Sequence, residues 1–218
     1  MTLGALTTRL VLVRHGEAQA FEDRVIAGPN GCRGLSANGR VQAAALRDRL
    51  RDTGELRPDV VLTSTLPRAI ETATIVCDAF ADGVERIADC DYCELHPGVC
   101  DGMPWDDYEA HYGALGDPDR VLSPGGESSR TFDARVRTAM TTLIETYRGR
   151  SVLLFTHGGF ISAATYFLVG APGLADHEHR NFRLHPLNTS ITEFSSTDPD
   201  EQWSFDRYND VAHLGSLA

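Results

Sequence analysis

Two apolar runs that end in the same dipeptide constrain this chain more than any other feature in it. Leu10-Val11-Leu12-Val13 leads straight into Arg14-His15-Gly16-Glu17, and Ser151-Val152-Leu153-Leu154-Phe155 leads into Thr156-His157-Gly158-Gly159. Short runs rich in Val and Leu and bounded by glycine read as strands buried on both faces. Such strands belong in a parallel sheet, and ligands of open α/β sheets bind beyond the strands' carboxyl ends. Each run delivers an imidazole and a flexible glycine to that edge. Packing gives no reason for the repetition, whereas two imidazoles meeting in one pocket do.

The rest of the chain alternates in the same way. Asp59 to Thr63 reads as a second buried strand and Glu85 to Ala88 as a short third. Ser36 is an N-cap for a helix from about Asn38 to Arg51, with Val41, Ala44, Ala45 and Leu50 as its apolar stripe. Pro67 suits the first turn of another helix, with Ile70, Ala73, Thr74 and Cys77 turned inward. Further helices are predicted from about Ser129 to Tyr147 and from Gly158 to Leu168, and closing strands from Asn188 to Phe194 and Gln202 to Arg207. The pattern predicts one α/β domain over residues 1–218. It is a three-layer α/β/α arrangement, with a mostly parallel central sheet and helices on both faces. Residues 89–126 break the rhythm with four prolines, several acids and a short helix near Trp105 to Tyr112. They read as a small insertion over the active site.

Composition narrows the partners. A formal net charge of −11 over 218 residues argues against nucleic acid or an anionic membrane. No apolar stretch approaches a membrane span, and the N-terminal apolar run is strand-sized and bracketed by Arg9 and Arg14, so a cytoplasmic protein is expected. Five cysteines, an odd number, argue against a disulfide framework. Cys90, Cys93, His96 and Cys100 cluster in sequence but lack a second CxxC pair, so they read as free thiols and no metal site is expected. Oligomeric state is not legible, and a homo-oligomer stays open.

In an acidic protein, an anionic ligand needs a local cluster of cations. Arg14 offers a planar fork suited to phosphate, and Gly16 permits close backbone approach. Arg68 stands in the first turn of a predicted helix, where a cation opposes the helix dipole and an anionic ligand would explain it. With His15 and His157, these groups suit a phosphoryl group whose charge spreads over three oxygens. Covalent phosphoryl transfer needs a nucleophile, which a histidine can be, and a proton donor for the leaving oxygen. Glu94 and Glu109 are the donor candidates, with Asp101 and Glu127 behind them.

These motifs in this order resemble the histidine phosphatase superfamily, in its branch of phosphoglycerate-mutase-like phosphatases. The matching pieces are LVLVRHGE, the SSxLxRAxxTA pattern over Thr63 to Ala73, and Glu94 followed by Gly98 and Asp101-Gly102. PGGES at Pro124 to Ser128, THGG, and the ending Asn188 to Thr192 with Tyr208-Asn209-Asp210 complete the match. The resemblance implies that His15 carries a phosphohistidine and that Arg14, Arg68, His157 and Gly158 hold the phosphoryl group. It also implies that Glu94 is the acid and base, and that no metal or other cofactor is needed. Where the family often has an Asn, this chain has Gln19, the candidate replacement for a phosphate contact. A phosphatase acting on small phosphorylated substrates is expected. The alternatives are a phosphoglycerate mutase and a non-catalytic phosphate-binding module. The segment from Leu95 to Gly126 contains Arg120 as its sole Lys or Arg, which favours hydrolysis over a mutase's carboxylate-holding cap.

Overall fold

Alternate residues of the central strands feed two separate cores, one on each face of a single sheet. The computed structural model describes residues 6–80, 83–113, 117–179 and 181–215. The strands are β1 (Thr8–Arg14), β2 (Val60–Thr63), β3 (Glu85–Ala88), β4 (Ser151–Thr156), β5 (Ile191–Asp198) and β6 (Gln202–Asp210). They lie in the order β3-β2-β4-β1-β5-β6. Pairing is parallel from β3 through β1 and antiparallel for β5 and β6. The helices are α1 (Gln19–Glu22), α2 (Ala37–Thr53), α3 (Pro67–Cys77), α4 (Trp105–Tyr112), α5 (Ser129–Thr146) and α6 (Gly158–Leu168).

Period-two alternation sorts the strand residues. Leu10, Leu12, Val60, Leu62, Val152 and Leu154 pack with Phe132, Met140 and Leu143 of α5 and Phe160 and Ile161 of α6. Val11, Val13, Val61, Leu153 and Phe155 point the other way, onto Ala43, Leu46 and Leu50 of α2 and Ala73 and Val76 of α3. The predicted three layers and mostly parallel sheet are therefore present. Crossover helices cover both faces of the parallel strands, which is why those strands read as continuous apolar runs.

Local signals hold at the helix ends. Ser36 Oγ accepts the Gly39 amide 3.0 Å away and caps α2, and Gly54 closes that helix at φ +60°. Pro67 occupies the first turn of α3. The predicted inner faces need correction. Val41 is 50 % exposed and Ile70 is 41 % exposed. α2 buries Gly39, Gln42, Ala43, Leu46 and Leu50, while α3 buries Arg68, Ala69, Thr72, Ala73, Val76 and Cys77. Small residues at those positions let both helices lie close to the sheet, which outranks the hydrophobicity of Val41 and Ile70.

Register then places the chemistry. Arg14 of β1 lies beside Thr156 of β4, so the next residue of each strand is a histidine. The His15 amide donates to the Thr156 carbonyl at 3.0 Å, which carries the pairing one residue past the strands.

Candidate active site

The rings of His15 and His157 meet edge to face with centroids 5.0 Å apart. His15 is 6 % exposed and His157 fully buried. His15 Nδ1 sits 2.6 Å from the Gly16 carbonyl oxygen. A carbonyl only accepts, so Nδ1 holds the proton and Nε2 presents its lone pair. Arg68 Nε donates to that Nε2 at 3.1 Å, marking where an electrophile would sit. Burial first, then the guanidiniums of Arg68 and Arg14, push His15 well below the usual imidazole value. The ring is therefore neutral and nucleophilic.

Each surrounding donor has a cause in the chain. Arg68 reaches the site from the first turn of α3 and is fixed by Nη1 donating to the Ala27 carbonyl at 2.8 Å. Asp101 braces the loop that supplies this carbonyl, accepting the amides of Gly28, Asn30 and Gly31 at 2.7–2.8 Å. Arg14 Nη1 donates to the Pro186 carbonyl at 2.7 Å, while its Nε is buried with no partner. His157 Nε2 lies 2.7 Å from Ser64 Oγ, and its Nδ1 is likewise buried without a partner. Buried polar atoms are ordinarily satisfied, so two such atoms at one strand edge mark a site built for an incoming acceptor. Burial and the nearby cations also push His157 well below its usual value.

Glu94 approaches from the other side. Its Oε2 accepts the Gly159 amide at 2.9 Å, at the N-terminus of α6. A Cβ at Gly159 would meet the Glu94 carboxylate, so glycine there lets that side chain reach the helix N-terminus. The charge of Glu94 acts on Arg14, raising the pKa of a guanidinium that burial lowers. The other three donor candidates are placed elsewhere. Asp101 is committed to loop amides, Glu127 pairs with Arg135 at 2.8 Å, and Glu109 is exposed on α4. Gln19 is not brought to the histidines: its amide donates to Glu22 and Asp23 of its own turn, at 2.9 and 3.2 Å.

Sequence reasoning assigned no role to Ser64, Asn188 or Thr189. Asn188 Nδ2 donates to the His15 carbonyl at 3.0 Å, and the Thr189 amide donates to the Arg14 carbonyl at 3.0 Å. Thr189 does so at φ +54°, a strained conformation for a β-branched residue. A cleft of about 530 Å³ opens over Arg14, Glu94, Gly158 and Gly159, with Asp117, Arg183 and His185 on its wall. His15, Arg68 and His157 are not on that wall; they lie buried beside Arg14.

Known proteins resemble this chain over most of its length. The family model described as "Histidine phosphatase superfamily (branch 1)" matches residues 10–211. A probable phosphoglycerate mutase of Klebsiella pneumoniae is 30 % identical over 96 % of this chain and 96 % of its own length. A metal-independent phosphoserine phosphatase of Arabidopsis thaliana is 29 % identical over 96 % of this chain and 84 % of its own. The solved structure of a mycobacterial glucosyl-3-phosphoglycerate phosphatase superposes with a TM-score of 0.72. It is 26 % identical, over 93 % of this chain and 99 % of that one.

Proposed function

This chain belongs to the histidine phosphatase superfamily, and from that premise we propose that it hydrolyses small-molecule phosphomonoesters through a phosphohistidine at His15. The observation that carries the reading is the His15 Nε2 lone pair, facing Arg68 beside the unpartnered Arg14 Nε and His157 Nδ1. His15 Nε2 attacks phosphorus, the P–O ester bond breaks, and the Glu94 carboxyl gives its proton to the departing oxygen. Water then attacks the phosphohistidine, the Glu94 carboxylate takes its proton, and cleavage of the P–N bond restores Nε2 and releases inorganic phosphate. Arg14, Arg68 and His157 hold the equatorial oxygens throughout, and the Gly158 amide at the N-terminus of α6 is placed to join them. These groups supply the charge neutralisation, so no step calls on a metal, in keeping with the name of the phosphoserine phosphatase relative.

The cleft favours hydrolysis over mutase activity. Among the described residues that line it, Arg183 is the one permanent cation beyond Arg14, and Asp117 and Glu94 also stand on the wall. A mutase must also hold the substrate's carboxylate and keep water from its phosphoenzyme. We read residues 89–126 as the segment that selects the substrate, because it supplies Glu94 and Asp117 to the cleft. No helix among the described residues is long and apolar enough to cross a membrane. Five free cysteines support a reducing compartment, so we assign the cytoplasm.

The test is His15→Ala. The variant should fold, lose hydrolysis of an aryl phosphate, and lose the acid-labile, alkali-stable label left by a radioactive phosphate donor. Turnover at the wild-type rate would remove the covalent mechanism.

A further inference from the structure

The loop that delivers Glu94 holds a second cluster of chemistry-bearing groups. Cys90 Sγ lies 3.4 Å from His96 Nε2, and the ligand atoms of Cys90, Cys93 and His96 all fall within 4.8 Å of one another. A tetrahedral zinc-class ion, with metal–sulfur bonds of about 2.3 Å and metal–nitrogen bonds of about 2.0–2.1 Å, spaces its S and N donors about 3.5 Å apart. Cys100 is not a member: its thiol donates to the Pro97 carbonyl at 2.9 Å. Without Cys100, two thiols and one imidazole converge.

An S–H to imidazole hydrogen bond would account for Cys90 and His96 alone. Cys93, whose sulfur is fully buried, completes the cluster and has the hydroxyls of Ser64 and Thr65 at 3.2 Å. The supporting residues also match a metal site. Glu127 Oε2 accepts the His96 amide at 2.8 Å and lies 3.7 Å from His96 Nδ1, which leaves Nε2 facing the sulfurs. Arg135 donates to Glu127 and to the carbonyls of Asp91, Cys93 and Glu94, tying the loop down between its ligands. Cys90 is exposed, which supplies an entry path.

We propose that Cys90, Cys93 and His96 form a binding site for a soft divalent cation of the zinc class, separate from the phosphoryl pocket and open on the Cys90 side. Ser64 Oγ donates to Cys93 Sγ at 3.2 Å and lies 2.7 Å from His157 Nε2, so a single hydroxyl separates this site from the phosphoryl pocket.

Cobalt(II) titration of the full-length, reduced protein tests the site directly. One equivalent should bind, with tetrahedral visible bands and thiolate charge-transfer absorption. Cys90→Ser should lose about half of the charge-transfer intensity, one of two thiolates. His96→Ala should weaken binding, and His15→Ala should leave the spectrum intact. A featureless titration would overturn the proposal. So would bands that survive in Cys90→Ser and vanish in His15→Ala, since the metal would then sit in the phosphoryl pocket. The spectra read out whether or not the chain proves to be a phosphatase.

Discussion

At the scale of single residues, the proposed mechanism divides the work between a neutral nucleophile and a separate acid. Burial and two guanidiniums hold His15 well below the ordinary imidazole value, so it needs no deprotonation at neutral or mildly acidic pH. The acid limb of kcat/KM, corrected for substrate ionisation, should therefore lie clearly below pH 6.5, the usual imidazole value. A limb at that value would mean that His15 titrates as an exposed histidine. Glu94 should separate from His15 in its dependence on the leaving group. Glu94→Gln keeps an oxygen for the Gly159 amide and cannot protonate an alkoxide. It should slow alkyl phosphates by about a hundredfold or more and nitrophenyl phosphate by less than about tenfold, measured as kcat across a leaving-group series. A uniform loss would reduce Glu94 to a positioning residue.

At the scale of elements, two helix N-termini depend on side chains that no periodicity reveals. α6 begins against Glu94, and α2 begins at Ser36, whose hydroxyl also donates to Glu17 at 2.7 Å. Gly159→Ala should keep the fold and push the Glu94 carboxylate aside, so it should reproduce the leaving-group signature of Glu94→Gln; wild-type kinetics in this variant would remove the requirement for glycine. Ser36→Ala should cost about 1–2 kcal/mol in chemical denaturation, because both a cap and a buried hydrogen bond are lost. The same distinction explains what the sequence showed and what it hid. Strand and helix limits near Arg14, Ser36, Pro67 and Gly158 were legible because capping and apolar alternation are local. The faces of α2 and α3 were not, because the sheet selects small residues such as Ala43 and Ala69 over the larger Val41 and Ile70. Arg14, His15 and His157 were legible as candidates from strand ends, and Arg68 from a cation in the first turn of a helix. Ser64, Asn188 and the bracing role of Asp101 depend on contacts between segments 29 to 173 residues apart, which no spacing rule reaches.

At the scale of the whole molecule, acid should destabilise the fold in two stages with one sign. His15, His157 and His213 are neutral in the folded state, with His213 pushed down to about 4, by burial first and Arg49 second. Asp210 and Glu55 face His213 with the opposite effect and do not overcome it. In the unfolded chain these rings take up protons near pH 6.5. The folded state therefore binds fewer protons, and stability is complete above 6.5 and falls as pH drops below it. Carboxylates follow lower down. Arg49 lowers Asp210, and for Glu55 and Glu127 the paired arginines outweigh a burial that acts upward. Their contribution is present above the unfolded carboxylate value near 4 and is lost as pH falls through the folded values. The thermal midpoint should be flat from pH 8 to about 6.5, decline to about 4, and then fall more steeply; each kcal/mol lost shifts it about 2–4 °C in a chain of this size. His213 isolates the first stage, because its Nε2 contacts Thr189 Oγ1 at 2.9 Å and is not among the groups proposed to hold the phosphoryl oxygens. His213→Gln can keep that hydrogen bond without a titrating ring. It should flatten part of the decline between pH 6.5 and 4 and leave the shape of the kcat profile unchanged. A midpoint curve superimposable on the wild type would show that protonation of His213 takes no part in acid unfolding.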